Sequence, residues 1–284
     1  HAGGVESLEP AVLKKHDMRR ELKKPRGIVP GAPRGEMEHR RLAPSPALAH
    51  RVAHFWWVRW NLKEPYVAMT LPHPTVHVIF EPPARGVVHG VPERRFERQL
   101  EGEGFVFGVK FRPGGFSGLV DSDVRALTNR GVPATEVFAG VERLERQVAK
   151  ASSFETCVAA AEAFFALPAL PEEAALVRDV VERLEEDHSF VRVEQAAALA
   201  GVDVRTLQRL FRRHVGVTPK WVLARYRLHE AAARLTETPK LSLARLAVEL
   251  GYADQAHFTR DFTSVVGRSP RVVAKRVSGV VRGR

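Results

Sequence analysis

The sequence contains very little cysteine and no long apolar run. Its 284 residues include one cysteine, Cys157, which excludes an intramolecular disulfide and a zinc cluster built from several cysteines. No apolar stretch approaches the roughly 20 residues that cross a bilayer, and no signal peptide is visible. These absences predict a soluble, cytoplasmic protein without a membrane partner. Cys157 itself, in "FETCVAAAEAFF", is predicted to lie on a buried helix face, the alternative being a reactive thiol.

Acidic residues are too few to balance the basic ones in the last third of the chain. The formal net charge is +11. From residue 188 to the end there are 18 Lys and Arg against 7 Asp and Glu, whereas residues 1–187 contain 26 of each kind. Such a concentrated excess suits a surface that binds a polyphosphate such as double-stranded DNA. The alternative is a basic face that serves only solubility.

Composition and periodicity divide the chain into an arm and two domains. Residues 1–41 are charged and end in Pro and Gly, which predicts a peripheral arm. Residues 42–167 begin with short β-rich runs such as "GFVFGVKF", typical of a small antiparallel barrel or sandwich, and continue with helical spacing. We interpret them as a sensing or dimerisation domain. The prolines of "LPALPEE" mark a boundary, and residues 172–284 are predicted to be all-helical, so the predicted fold class is α+β.

One motif occurs twice in the predicted helical domain. "LQRLFRRHVGVTP" (207–219) and "FTRDFTSVVGRSP" (258–270) share an apolar residue, an Arg, a Phe, a Gly and a Pro at the same spacing. In each copy a first helix ends at a glycine, and a second helix begins at a capping aspartate, Asp203 or Asp254. This pattern predicts two helix-turn-helix units, in which the second helix lies in the major groove of DNA.

The segment between the two copies predicts a single connecting helix. It begins with Thr218, a capping residue followed by a first-turn proline, and it ends near Thr238 and the next proline. About 20 helical residues span about 30 Å, and one turn of DNA is about 34 Å. The spacing therefore predicts two recognition helices in successive major grooves.

A longer stretch resembles a known family. "LAGVDVRTLQRLFRRHVGVTPKWVLARYRLHEAA" followed by "LARLAVELGYADQAHFTRDFTSVVGRSP" resembles the DNA-binding domain of the AraC family of bacterial transcription regulators over about 100 residues, including the longer second turn. The chain departs from the family pattern at Val273 and Ala274, where a Tyr-Arg pair is frequent. The N-terminal half is loosely similar to the cupin-like effector-binding barrels of such regulators.

The resemblance implies a sequence-specific transcription regulator, either activator or repressor. Its implied partners are double-stranded DNA, a small-molecule effector, a second copy of the chain in a homodimer and, for an activator, RNA polymerase. No catalytic residue and no cofactor are expected. The alternative that stays open is a cupin-type, metal-dependent enzyme with an appended helical DNA-binding module.

Helical geometry identifies which side chains of the second helices point outward. If the apolar residues of each copy face the core, the polar residues between them face DNA. Arg pairs with guanine and Gln with adenine at base edges. For Arg209 and Arg260 the alternative is a contact with phosphate or with a neighbouring acid. The candidate DNA-binding residues are Arg205, Gln208, Arg209 and Arg212 in the first copy and Gln255, Thr259, Arg260 and Thr263 in the second.

The β-rich half carries candidate ligand-binding residues. Trp56, Trp57 and Trp60, in "FWWVRW", together with His77, suit an aromatic ligand pocket, the alternative being packing in the core. His77 and three further histidines, His54, His73 and His89, raise the possibility of a metal site. Prolines on both sides of His73 disfavour a regular strand there, so no metal is expected.

Overall fold

The computed structural model describes residues 33–238 and 241–274. Its N-terminal half is built from eight strands in two antiparallel sheets. The six-stranded sheet has the order β1-β2-β7-β4-β5-β8, and β3 pairs with β6 in the second sheet. The strands are β1 Gly35–Leu42, β2 Val52–Leu62, β3 Tyr66–Thr70, β4 His77–Phe80, β5 Val87–His89, β6 Phe96–Leu100, β7 Glu103–Phe111 and β8 Gly131–Pro133.

The larger sheet is open. Its edge strands β1 and β8 are not neighbours in the pairing order of the described residues, so the predicted cupin-like closed barrel is not confirmed. Residues 35–41, which the sequence assigns to the arm, belong to β1 and pair with β2. The rest of the predicted arm, residues 1–32, lies outside the described residues. Strand β2 pairs with one side of this polar segment, whose other side forms an edge of the sheet.

One face of the sheet forms the first hydrophobic core. Phe107, Val109 and Phe111 alternate along β7 and are fully buried, as the period of two in the sequence predicts. Two helices, α1 (Val141–Ala149) and α2 (Phe154–Phe164), contribute their apolar faces to the same core, which confirms the predicted helical spacing. Cys157 of α2 is buried there, and burial raises the pKa of its thiol to about 12.

After α2 the described residues contain helices and no strand. These helices are α3 Glu172–Glu186, α4 Val193–Ala200, α5 Val204–His214, α6 Pro219–Glu237, α7 Leu243–Glu249 and α8 Gln255–Val266, and a further helix begins at Pro270. They form two more hydrophobic clusters, one around α5 and one around α8. The β-rich half adds Val91 to the first cluster and Leu71 to the second. None of the described helices is long and apolar enough to cross a membrane.

A buried arginine joins the β-rich half to the chain before α3. The guanidinium of Arg51, 1% exposed, donates to four carbonyl oxygens. Its Nε and Nη2 bind the carbonyls of Pro168 (2.7 Å) and Ala169 (2.9 Å), and its Nη1 binds those of Gly115 (2.8 Å) and Ser117 (2.7 Å). The fork of donors thus fixes the proline-rich connection against the turn after β7.

We expect Arg51→Lys to lower the free energy of unfolding by about 1 to 3 kcal/mol, because an ammonium keeps the charge but leaves some of these buried carbonyls without a donor. Urea denaturation measures this change. Arg59→Lys is the matched control on β2, the strand that begins directly after Arg51: Arg59 is exposed and pairs with Glu103 at 3.4 Å, so we expect a change within about 0.5 kcal/mol. Equal stability of the two variants would contradict the linking role of Arg51.

Candidate nucleic-acid interface

The first helix-turn-helix unit consists of α4 and α5. Helix α4 ends at Gly201, whose φ of +66° lies in the left-handed region that glycine adopts without strain. Asp203 then caps α5, since its carboxylate accepts a hydrogen bond from the Thr206 backbone amide at 2.9 Å. Both boundaries agree with the sequence-based prediction. Ala197 is buried in α4, where its small side chain permits a close crossing with α5.

The second unit repeats this geometry with α7 and α8. The turn contains Gly251 (φ +74°), and Asp254 caps α8 by accepting a hydrogen bond from the His257 amide at 2.7 Å. Helix α8 ends at Gly267, again with φ +74°. Ala247 takes the buried position that corresponds to the small residue of α4. The internal repeat of the sequence is therefore a repeat of capped helix pairs.

Helix α6 connects the two units without a break. Thr218 caps its start by accepting a hydrogen bond from the Trp221 amide at 3.2 Å, and Pro219 occupies the first turn. The helix has 19 residues, against about 20 predicted, and is therefore about 28 Å long. This length is close to the pitch of B-DNA, which is about 34 Å.

The outer face of α5 is a stripe of polar side chains. Arg205, Gln208, Arg209 and Arg212 are all exposed and follow one another at steps of three, one and three residues. The opposite face packs into the hydrophobic cluster around α5 that also contains Val91. One guanidinium of the stripe is engaged, because Arg209 lies 3.6 Å from a Glu173 carboxylate oxygen. The acidic neighbour that the sequence left open as an alternative is thus present for this arginine.

The outer face of α8 is less exposed. Arg260 is exposed, whereas Gln255, Thr259 and Thr263 are half-buried. The Thr263 hydroxyl donates to the Thr259 carbonyl at 2.7 Å, which leaves only its oxygen lone pairs for another partner. His257, which the sequence analysis did not select, is exposed and lies 3.7 Å from Asp261.

The comparisons with known proteins cover the two halves separately. Residues 196–276 match a family described as a helix-turn-helix domain, and residues 40–133 match a domain of unknown function, DUF6597. A transcriptional activator NphR from Rhodococcus sp is 36% identical over 104 residues, which are 37% of this chain and 30% of that protein. An HTH-type transcriptional activator RhaS from Escherichia fergusonii is 36% identical over 90 residues, 31% of this chain and 32% of that protein.

Residues 196–276 form an AraC-type helix-turn-helix domain. The chain spans about a third of the length of the curated relatives that it matches. A solved structure of a probable AraC family transcriptional regulator from Rhodopseudomonas palustris is 27% identical, with a TM-score of 0.33, over 36% of this chain and 96% of that one.

The three candidate ligand-binding tryptophans, in the sheet that precedes the AraC-type domain, lie in different surroundings. Trp57 is buried and stacks on Phe105 with ring centroids 4.5 Å apart, so it belongs to the first core. Trp60 is buried in a separate small cluster, and its indole N–H donates to the Glu101 carbonyl at 3.1 Å. Trp56 is half-buried, and its indole N–H donates to His77 Nδ1 at 3.2 Å. The structure therefore pairs Trp56 with His77 but does not gather all four candidate ligand-binding residues.

Glycines of β7 make room for two of these rings. A Cβ on Gly108 would lie 2.0 Å from the Trp56 ring, and a Cβ on Gly104 would lie 2.6 Å from the Trp60 ring. Both tryptophans are on the side of the sheet opposite the Phe-rich core. The two rings thus lie directly on the backbone of β7, in the space that a side chain at Gly104 or Gly108 would occupy.

Basic side chains lie buried or half-buried on this second side of the sheet and on the part of α6 in the AraC-type domain that packs near it. Burial lowers the pKa of Lys110 to about 8, the pKa of His77 to about 3 and the pKa of His229 in α6 to about 4, and it also lowers the pKa of His54. His229 Nε2 lies 3.1 Å from the Pro72 carbonyl. The histidines are neutral, and within residues 33–238 and 241–274 no three His, Cys, Asp or Glu residues are grouped to hold a metal ion.

These histidines predict a loss of stability in acid. A histidine of the unfolded chain titrates near pH 6.5, whereas folded His77 and His229 titrate at about 3 and 4. The unfolded state therefore binds more protons below about pH 6.5, and the free energy of unfolding should fall as the pH is lowered from about 7 to about 4. Denaturation at several pH values measures this slope.

Replacing one of these half-buried histidines should make that slope shallower. We expect His77→Gln to reduce the loss of stability between about pH 7 and 5, because one titrating group is removed. His257→Gln is the control, since the side chain of His257 is 49% exposed. An unchanged slope in His77→Gln would contradict the assignment of a neutral, half-buried imidazole.

Proposed function

We propose that the protein is a sequence-specific transcription regulator that places α5 and α8 in successive major grooves of one DNA duplex. The observation that carries this proposal is the pair of capped helix-turn-helix units on a 19-residue connecting helix. The stripe of exposed Arg and Gln on α5 supplies donors for base edges. The eight proposed contact residues are those that helical geometry selects in the sequence.

The proposal assigns different roles to the two parts of the chain. Residues 172–284 bind DNA, and residues 42–167 sense a small effector or form a homodimer, both inside the cytoplasm. Two relatives of the C-terminal part are transcriptional activators, which supports an action on transcription. For an activator, RNA polymerase is a further partner. Trp56 and His77 are the ligand-binding candidates that the structure brings together.

A cupin-type, metal-dependent enzyme is the alternative function. A cupin-like fold requires a closed barrel, whereas the described strands form an open sheet. The relatives that match the C-terminal domain are regulators. We therefore favour the regulator.

Each recognition helix with its outward side chains is called a head here: α5 is the first head and α8 is the second. Single substitutions in the two heads test the proposed arrangement. Arg205→Ala and Gln255→Ala should each cost about 1 to 3 kcal/mol of binding free energy and relax the base preference at one end of the site, because each removes a base contact. The two affected positions should lie about 10 base pairs apart. Selection of binding sites from random duplexes by each variant measures the preferences.

Lys220 provides the matched control. It is exposed in the first turn of α6, on neither recognition helix, and should contact phosphate only. Lys220→Ala should therefore weaken binding to all sequences alike and reduce the dependence of affinity on salt. If both head variants change the same base positions, or if neither changes any, the two-headed arrangement is wrong.

A further inference from the structure

One carboxylate from α3 contacts three basic side chains of the first recognition helix. The Oε1 of Glu173 lies 3.6 Å from Arg209 Nη2. Its Oε2 lies 3.4 Å from Arg213 Nη1 and 3.2 Å from His214 Nε2. Arg213 was not among the residues selected from the sequence, although it follows Arg209 by four residues on the same face of a helix. Glu173 is 41 residues from His214 in the chain, so only the fold brings them together.

The electrostatic setting of Glu173 resembles that of a phosphate bound to a basic helix. The hydrogen bond from His214 and the charges of Arg209 and Arg213 lower the pKa of the Glu173 carboxyl. The side chains of Glu173, Arg209 and Arg213 are 46%, 56% and 55% exposed, so these pairs are weak and exchange readily with other partners. A cavity of about 420 Å³ beside Glu173 and Arg213 leaves room for both side chains to move.

The position of Glu173 depends on the β-rich half. It lies in the first turn of α3, directly after the connection that Arg51 holds through the Pro168 and Ala169 carbonyls. Further along α3, Glu182 pairs with Arg112 of the β-rich half at 2.5 Å.

Helix α5 also touches the β-rich half directly. His214, buried at its last turn, has Nδ1 2.7 Å from the Ser117 hydroxyl oxygen. A shift of the turn that contains Ser117 would therefore move both α3 and the end of α5.

We propose that Glu173 is a positioning residue for DNA recognition, whose carboxylate holds Arg209 and Arg213 in the place of a DNA phosphate. DNA must displace the carboxylate before the first head binds tightly. The β-rich half, which fixes the start of α3, thereby sets the affinity of α5 for DNA. This inference rests on the proposed function. It applies to one head only, since Arg260 of α8 forms no ion pair with a described residue.

Neutralising Glu173 in the full-length chain tests the proposal. Glu173→Gln should bind DNA roughly three- to tenfold more tightly at low salt, because two partly exposed ion pairs no longer compete with phosphate. The dependence of affinity on salt between about 50 and 200 mM should become steeper, as more phosphates are neutralised by free arginines. The probe is a duplex of about 30 base pairs containing a selected site, beside one of scrambled sequence.

Glu172→Gln is the matched control. Glu172 carries the same charge in the same turn of α3 but takes no part in the ion pairs with α5. We expect its affinity to stay within about twofold of the unsubstituted chain, because a solvated charge that makes no direct ion pair with α5 is weakened by screening. Equal affinities of the two variants would overturn the proposal, as would a gain caused by Glu172→Gln alone.

A second substitution separates competition from a merely structural effect. Arg213→Ala should weaken binding more in the Glu173→Gln background than in the unsubstituted chain, since Arg213 is free for phosphate only in the former. Equal losses of DNA affinity in both backgrounds would overturn the proposed competition between the Glu173 carboxylate and DNA phosphate. If none of the variants, nor the unsubstituted chain, binds either duplex, the proposed function itself fails; if all bind equally, only this inference fails.

Discussion

The four hydrogen bonds of the Arg51 guanidinium are the constraint on which the arrangement of the two halves depends. A guanidinium that is 1% exposed has lost its hydration, so its donors must be satisfied by protein carbonyls in fixed directions. Two of these carbonyls belong to the turn after β7, and two belong to the connection before α3. Because the donors lie in one plane, neither segment moves alone, and the start of α3 follows the β-rich half.

The parts of the fold that could be predicted from the sequence depend on short-range interactions. Asp203, Thr218 and Asp254 each cap a helix by accepting a hydrogen bond from an amide three residues later. Such caps are visible as residue types at fixed offsets, and so are the glycines that end the preceding helices. The outward stripe of α5 likewise follows from helical periodicity. Hence the sequence predicts the two units and their candidate contacts residue by residue.

The parts that could not be predicted depend on residues far apart in the chain. Whether strands close into a barrel is decided by which edges pair, and the pairing of β5 with β8 joins residues 87–89 to 131–133. Strand β1 carries no alternating apolar pattern, because it is an edge strand with exposed side chains near its start. The ion pairs of Glu173 with α5 could not be predicted either, because a glutamate at the start of a helix is common for its favourable interaction with the helix dipole.

Helix α5 combines two requirements that its sequence has to satisfy at once. Its first turns present Arg205 and Gln208 outward, whereas its last turn buries His214 against Ser117 and Glu173. A rigid helix transmits a displacement of its end along its length, because its backbone hydrogen bonds resist bending. The residues proposed to read DNA and the residues that contact the β-rich half therefore respond together. A helix with only one of these faces would bind DNA or anchor the domain, but it would not connect the two events.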